Sequence, residues 1–281
     1  MPLATDPGFL GRRWTGAGVV AFGVRGEDGS LLAAGAVRGA TSVGGAAAGS
    51  GSGGSGSGGA LAGVGSAAVF TGLVDPSARG RGLGAALLDR GLALAGEGDV
   101  TVETETLTDD AVELFESRGL RQSFAEDVMR IDDLDLPAPV WPDGVTLSTW
   151  DEPVSRRFHT TYHASFRDRP GFPADPADVW IAENEEDDDF LPSCSLLVTL
   201  PDLGDAGFVV AAQGWIVQAG VVPFARRRGL AAALITESLT RMRADGADHC
   251  WLTVNVNNPG AAALYRRLGF AQRGRRARYQ R

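Results

Sequence analysis

Two stretches of this chain, one in each half, carry the same arrangement of arginine and glycine between an extended apolar run and a helical one. In the first, Leu73-Val74-Asp75-Pro76 leads into Arg79-Gly80-Arg81-Gly82-Leu83-Gly84 and a helix-like run over residues 85–95. In the second, Val221-Val222-Pro223 leads into Arg226-Arg227-Arg228-Gly229-Leu230-Ala231 and a helix-like run over residues 232–244. Downstream the parallel continues, with a β-branched strand (residues 100–106 or 250–256) followed by a short helix (residues 109–119 or 258–269). A pattern that recurs in one order predicts two copies of one α/β unit: strand, glycine turn, helix, strand, helix.

The 281 residues are enough for two ordinary domains. The boundary is expected at residues 136–144, where LPAPVWPDG carries three prolines and a Pro-Asp-Gly turn signal. That gives a first unit over residues 1–135 and a second over residues 145–281. The Gly/Ala/Ser segment at residues 44–59 has no side chain able to pack, so it reads as a flexible insertion between two strands of the first unit. Upstream of its glycine turn the second unit shows a strand at 145–150, helices at 153–166 and 175–183, and strands at 195–200 and 207–212. The first unit starts late, since residues 14–24 already read as a strand, and is expected to be truncated at its amino terminus. The predicted fold is α/β, each unit a twisted mixed β-sheet flanked by helices.

A strand that ends in Arg-x-x-Gly-x-Gly/Ala and opens a helix presents unpaired backbone N–H groups at the positive end of the helix dipole, which suits an anion. Small residues at the fourth and sixth places of that pattern let a pyrophosphate approach the main chain. Other chemistries fall away. All 26 basic residues are arginine, so there is no P-loop, Schiff-base or general-base lysine. Cys194 and Cys250 are too few for a disulfide framework, and His159 and His163 lack both the intervening Glu of a zinc protease and a third ligand, so no metal is expected. No stretch is long and apolar enough to span a bilayer, and residues 1–9 lack the features of a secretory signal, so no membrane partner and a cytoplasmic location are expected.

The run Asn258-Pro259-Gly260-Ala261-Ala262-Ala263-Leu264-Tyr265-Arg266-Arg267-Leu268-Gly269-Phe270 resembles the Asn-x-x-Ala-x-x-Leu-Tyr-x-x-x-Gly-Phe signature of the GNAT acetyltransferase superfamily, and residues 226–231 resemble its coenzyme A loop. The tandem arrangement, a degenerate unit before an intact one, is similar to that of mycothiol synthases, although the truncated first unit departs from it. The resemblance implies a protein that moves an acetyl group from acetyl-CoA to a primary amine, here on a small molecule. It further implies that the backbone of Ala219, Gly220 and Val221 runs beside the pantetheine arm and offers an N–H to the developing oxyanion. Arg226, Arg227, Arg228, Gly229, Leu230, Ala231 and Ala232 would hold the pyrophosphate, Asn258 would approach the cofactor, and Tyr265 would protonate the departing thiolate. The same logic extends, with less support, to Val74, Arg79, Gly80, Arg81, Gly82, Leu83 and Gly84 in the first unit. There Phe115 stands at the Tyr265 position, Thr108 at that of Asn258 and Leu120 at that of Phe270. A phenyl ring donates no proton, so a second reading is a non-catalytic acyl-CoA-binding module.

A general base is not evident, because residues 213–222 and 249–256 contain no Asp or Glu; Glu183, His159, His163 or a water relay stay open. Glu103 reads as part of a solvent-facing edge strand, and the acidic run at residues 183–189 as a solvated loop able to attract a cation. The net charge of −9 is uneven: residues 1–140 hold 10 Arg against 18 acids, residues 141–281 hold 16 against 17. Seven of those arginines lie in residues 266–281, and in an acidic chain without an aromatic-interleaved basic face they do not predict a nucleic-acid partner. A last strand with exposed arginines, or a contact to the coenzyme A 3′-phosphate, is more economical.

Overall fold

The structure is a computed structural model that describes residues 14–39, 68–169 and 172–281. The expected insertion at 44–59 lies outside the described residues. In chain order the first unit contributes β1 (Val19–Arg25), β2 (Leu31–Arg38), β3 (Ala68–Val74), α1 (Leu83–Ala95), β4 (Val100–Thr104), α2 (Asp109–Glu116) and β5 (Arg121–Ile131). The second contributes β6 (Thr146–Thr149), α3 (Glu152–Phe166), α4 (Ala177–Glu185), β7 (Leu196–Leu200), β8 (Gly204–Ala212), β9 (Trp215–Val221), α5 (Leu230–Ala244), β10 (Cys250–Asn255), α6 (Pro259–Arg267) and β11 (Ala271–Gln280). Among the described residues β6, α3 and α4 have no counterpart in the first unit. The strand expected over 14–24 begins only at Val19, because Gly16 and Gly18 take positive φ and turn the chain before it.

The two predicted sheets are one. Eleven strands follow the order β1-β2-β3-β4-β11-β5-β10-β9-β8-β7-β6. Each unit's last strand leaves its own sheet: β11 lies antiparallel against β4, β5 lies antiparallel against β10, and the two exchanged strands pair with each other at the centre. Cross-strand ion pairs fix this register. Arg278 meets Glu103 at 2.9 Å, Arg276 meets Glu126 at 2.6 Å, Arg275 meets Asp127 at 2.7 Å, and Arg273 meets Asp132. Arg273, Arg275, Arg276 and Arg278 of the tail are therefore paired with acids of the first half, Arg273 and Arg275 while still exposed, which accounts for part of the charge imbalance between the halves. Glu103 likewise lies on an interior strand, not on an edge.

The cores follow the exchange. Phe70, Leu88, Leu92, Val102 and Phe115 of the first unit close around Ala277 and Tyr279 from β11, while Leu230, Leu234, Leu252 and Phe270 of the second close around Met129 and Ile131 from β5. The Phe115 and Tyr279 rings sit 4.9 Å apart. Gly91 on α1 lets the helix approach β3, since a Cβ there would lie 2.3 Å from the Phe70 ring. Tyr279→Ala is expected to cost about 3–5 kcal/mol, the usual range for removing a buried ring. The loss should appear as weakened hydrogen-exchange protection in α1 and α2, although residue 279 lies more than 160 positions away from Phe115 in sequence. Unchanged protection there would contradict the exchange.

Candidate cofactor cleft and acyl-transfer site

Both arginine-glycine loops follow one backbone path. A short 3-10 turn (Pro76–Ala78 or Pro223–Ala225) is followed by an extended arginine, Arg79 or Arg226, then by a left-handed residue, Gly80 at φ 73° or Arg227 at φ 67°. Gly82 at φ 78° and Gly229 at φ 83° then cap α1 and α5 with no side-chain hydrogen bond. The first-turn N–H groups of α5 are left without a side-chain acceptor, and a Cβ built on Gly229 meets nothing within 4 Å, so space above them is open. Of the three arginines, Arg226 is committed: its guanidinium donates to the carbonyls of Val221 at 3.2 Å and Ser165 at 3.1 Å, tying the loop to β9 and α3. Arg227 and Arg228 have no hydrogen-bond or ion-pair partner among the described residues.

What lies in front of the loops differs. In the second unit β9 and β10 touch at a single pair, Trp215 with Trp251, whose indoles stack at 6.0 Å. The cause is a bulge: Val210 opposes Gln218 and Ala211 opposes Ile216, leaving Val217 extra, and such an insertion bends its strand. Residues 218–221, including Ala219, Gly220 and Val221, then run away from β10 with their backbone groups on that side unpaired to it. In the first unit β2 and β3 pair with no register shift, and β3 stays zipped to β4 from Ala68 through Thr71. In the first unit only residues 72–74 pass beyond that ladder, so the opening is shorter there, although Val74 and Arg79 through Gly84 form an intact loop.

Tyr265 projects from α6 beside Phe270, with ring centroids 6.0 Å apart. Burial, foremost, pushes its phenol up to about 12; Arg169 draws it down and Glu126 pushes it up. Both charges belong to the other face of the sheet. Directly opposed antiparallel residues share a face, and the Arg130 guanidinium lies 5.1 Å over the Trp251 ring that opposes it. By the two-residue period Glu126 and Asn255, also opposed, lie on that face, whereas Met129, Leu252 and Val254 face α5 and α6. The Tyr265 hydroxyl thus feels both faces where β9 and β10 part.

Asn258 caps α6, accepting from the Ala261 N–H at 3.2 Å; Thr108 caps α2 in the same way, from Ala111 at 3.2 Å. The substitution preserves the cap. Phe115 is buried and fills the place of Tyr265 with ring alone.

Over the open cleft, on the Glu126 face, α3 and α4 bring an aromatic cluster that includes Trp150, Phe158, Tyr162, Trp180 and Phe208. Trp180 Nε1 donates to Gln218 Oε1 at 3.2 Å, next to the bulge. Burial, with help from Asp175, pushes Tyr162 up to about 12 and raises the Glu183 carboxyl above its usual range. His159 Nε2 is engaged with the Asp175 carbonyl at 2.9 Å, and His163 sits edge-on to Phe172. Part of the acidic run is structural, since Glu185 accepts from Trp150 Nε1 at 2.9 Å. Glu126, whose charge acts on Tyr265, lies outside residues 213–222 and 249–256, on β5 of the first unit. The one trace of it in sequence is the acid surplus of the first half. Among the described residues no group of His, Cys, Asp and Glu could hold a metal ion, and no helix is long and apolar enough to cross a membrane.

Comparisons with known proteins agree with this geometry. The profile of the Acetyltransferase (GNAT) family matches residues 146–270. The mycothiol acetyltransferase of Clavibacter michiganensis subsp. michiganensis is 31% identical over 225 residues, covering 74% of this chain and 71% of that protein. The crystal structure of a GCN5-related N-acetyltransferase from Sphaerobacter thermophilus aligns at a TM-score of 0.70 and 25% identity, over 98% of this chain and 85% of that one. A tandem GNAT protein from the clavulanic acid biosynthesis pathway shares the fold at a TM-score of 0.58 and 15% identity, over 96% of this chain and 85% of that one.

Proposed function

The chain belongs to the GNAT acetyltransferase family, a class of acyl-CoA-dependent N-acetyltransferases, and from that premise we propose that it carries an acetyl group from acetyl-CoA to the primary amine of a small molecule, in the cleft of its second unit. The observation that carries this reading is the bulge at Val217, which opens β9 from β10 directly before the Gly229 loop and has no equivalent in the first unit. The uncapped first turn of α5 suits a pyrophosphate, and residues 219–221 offer backbone N–H groups to the charge that grows on the thioester carbonyl oxygen, where one donor is worth about 3–4 kcal/mol. Tyr265 gives its proton to the sulfur as the carbon–sulfur bond breaks. The proton that the amine loses as its nitrogen bonds to the carbonyl carbon returns through solvent to the Tyr265 phenolate, so amide, free thiol and phenol are left with no net charge in the cleft. The mycothiol acetyltransferase relatives support a small-molecule acceptor.

The test is release of free thiol from acetyl-CoA in the presence of amino sugars, aminoglycosides, polyamines and peptides with free amino termini. Release with a small amine supports the proposal. Release with peptides alone moves the acceptor class, and tight acetyl-CoA binding with no release from any amine favours the non-catalytic reading. Glu126 is assigned to the acceptor side of the cleft, where its carboxylate balances Arg276. Glu126→Gln leaves Arg276 uncompensated and facing a cationic amine, so KM for the amine should rise roughly tenfold, about 1.4 kcal/mol, with KM for acetyl-CoA unchanged. Equal changes in both would remove Glu126 from the acceptor side.

A further inference from the structure

Gln218 stands where β9 begins to part from β10, half-buried and directly opposite Val210 of β8. Val210 belongs to the aromatic cluster brought by α3 and α4, so Gln218, on the same face, points into that cluster. An amide among aromatic rings needs partners for its polar groups. Its oxygen has one: Gln218 Oε1 accepts from Trp180 Nε1 at 3.2 Å. An indole N–H only donates, so this bond fixes which way round the amide lies, with oxygen toward Trp180 and nitrogen away from it. Trp180 is itself buried and stacked on Tyr162, their centroids 4.8 Å apart, which holds the indole in place. The Gln218 NH2 group has no partner among the described residues, and its donors are left beside the opening of β9.

A second polar group is left in the same way. Ser165 of α3 is buried and its Oγ has no hydrogen-bond partner among the described residues. It stands over Gly220, where an added Cβ would lie 2.9 Å from the Ser165 Cβ and 3.1 Å from its Oγ. Gly220 is two residues beyond Gln218, on the same face of the strand. An unmet hydroxyl at this depth destabilises the unliganded protein, a cost that a bound polar group removes. We infer that Gln218 reads an uncharged oxygen on the acceptor, two carbons from the amine nitrogen, and that Trp180 is the residue that positions it; this deepens the proposed function and rests on it. Gln218 directly precedes residues 219–221, whose N–H groups are assigned to the thioester oxygen. The attacking nitrogen must reach the carbon next to that oxygen, so a group read from position 218 lies close to the nitrogen. Both unmet side chains are neutral, which suits an ether, carbonyl or hydroxyl oxygen rather than a second charge.

The test uses the full chain loaded with coenzyme A and calorimetry with two amines of one shape, 3-aminotetrahydropyran and cyclohexylamine, which differ by a ring oxygen in place of a CH2. Thiol release from acetyl-CoA is followed with the same pair. The wild type should prefer the ether amine about 10-fold, the worth of one uncharged hydrogen bond. Gln218→Glu keeps an oxygen for the Trp180 N–H but has no donor to offer, so the preference should vanish. Its added charge attracts both ammonium ions alike, and the ratio between the amines therefore reads the lost donor. Trp180→Phe keeps a ring and frees the amide to turn, so it should lower the preference in part. The double variant should match Gln218→Glu alone, a coupling that a merely structural role for Trp180 would not produce. A preference that survives in Gln218→Glu, or its absence in the wild type, overturns the inference; thiol release from both amines would then leave the transfer reading standing. Failure of both amines to bind the loaded protein and to release thiol overturns the inference together with the small-amine reading beneath it.

Discussion

Gly229→Glu is expected to abolish acetyl-CoA binding, by about 1,000-fold or more, while the protein stays folded. Gly229 holds φ at 83° as the cap of α5, a conformation that costs a residue with a Cβ about 1–2 kcal/mol. That strain is tolerable, because nothing lies within 4 Å of where the Cβ would stand. The larger effect is electrostatic. A carboxylate placed at the positive end of the helix repels the pyrophosphate and competes for the same N–H groups, and two such losses of about 2 kcal/mol each reach three decades. Gly229→Ala, which carries the strain without the charge, should lose far less. The first unit provides the contrast: β3 stays paired with β4 through Thr71 and opens over a shorter stretch before its loop, so Gly82→Glu should leave affinity unchanged and calorimetry should give one acetyl-CoA per chain. A stoichiometry of two, or undiminished binding in Gly229→Glu with an unshifted melting temperature, would overturn the assignment.

Tyr265→Phe should lower kcat by about 10²–10⁴-fold, the span of general acid catalysis, with acetyl-CoA affinity nearly constant. Stability should hardly move, because the equivalent place in the first unit is already filled by Phe115 in the same local fold, down to the matching bonds from Leu120 N to Phe115 O and from Phe270 N to Tyr265 O. The pH profile makes the assignment sharper. Burial raises the phenol to about 12, so the proton stays on Tyr265 well beyond its ordinary value near 10. A raised pKa contributes stability that is fully present below the unfolded value and fades only as pH climbs from about 10 toward about 12. The wild-type kcat should therefore show no alkaline fall between about pH 8 and 10 attributable to Tyr265. Full turnover in Tyr265→Phe, measured with an active acceptor, would end its role as proton donor. A large loss of turnover in Phe115→Ala, at unchanged stability, would move the chemistry to the first unit.

Much of this was legible in the residues. The two Arg-x-x-Gly loops, the helices they open, the short capped helices and the contrast of Tyr265 with Phe115 are all local features, and local periodicity reports local geometry. The strand exchange is not local. Arg276 and Glu126 are 150 residues apart, and nothing in the alternation of β5 or β11 says which neighbour either strand will choose. The bulge at Val217 escaped for a related reason: it is a mismatch between β8 and β9, and neither strand shows it alone. Glu126 was out of reach because it comes from β5 of the first unit and not from the unit that carries Tyr265. Helix limits were closer, with α4 starting at Ala177 because Pro176 sets its first turn.

The exchanged strands also impose an order on biosynthesis. A ribosome that has completed Phe115 must add a further 164 residues before Tyr279 exists to cover it, roughly 10–30 s at about 5–20 residues per second. Throughout that interval the nascent first unit presents β4 as an open strand edge and an incomplete core, an invitation to wrong pairings. The second unit in turn cannot close without β5. Deleting the first unit would take β5 from between β10 and β11 and so break the sheet that holds the second.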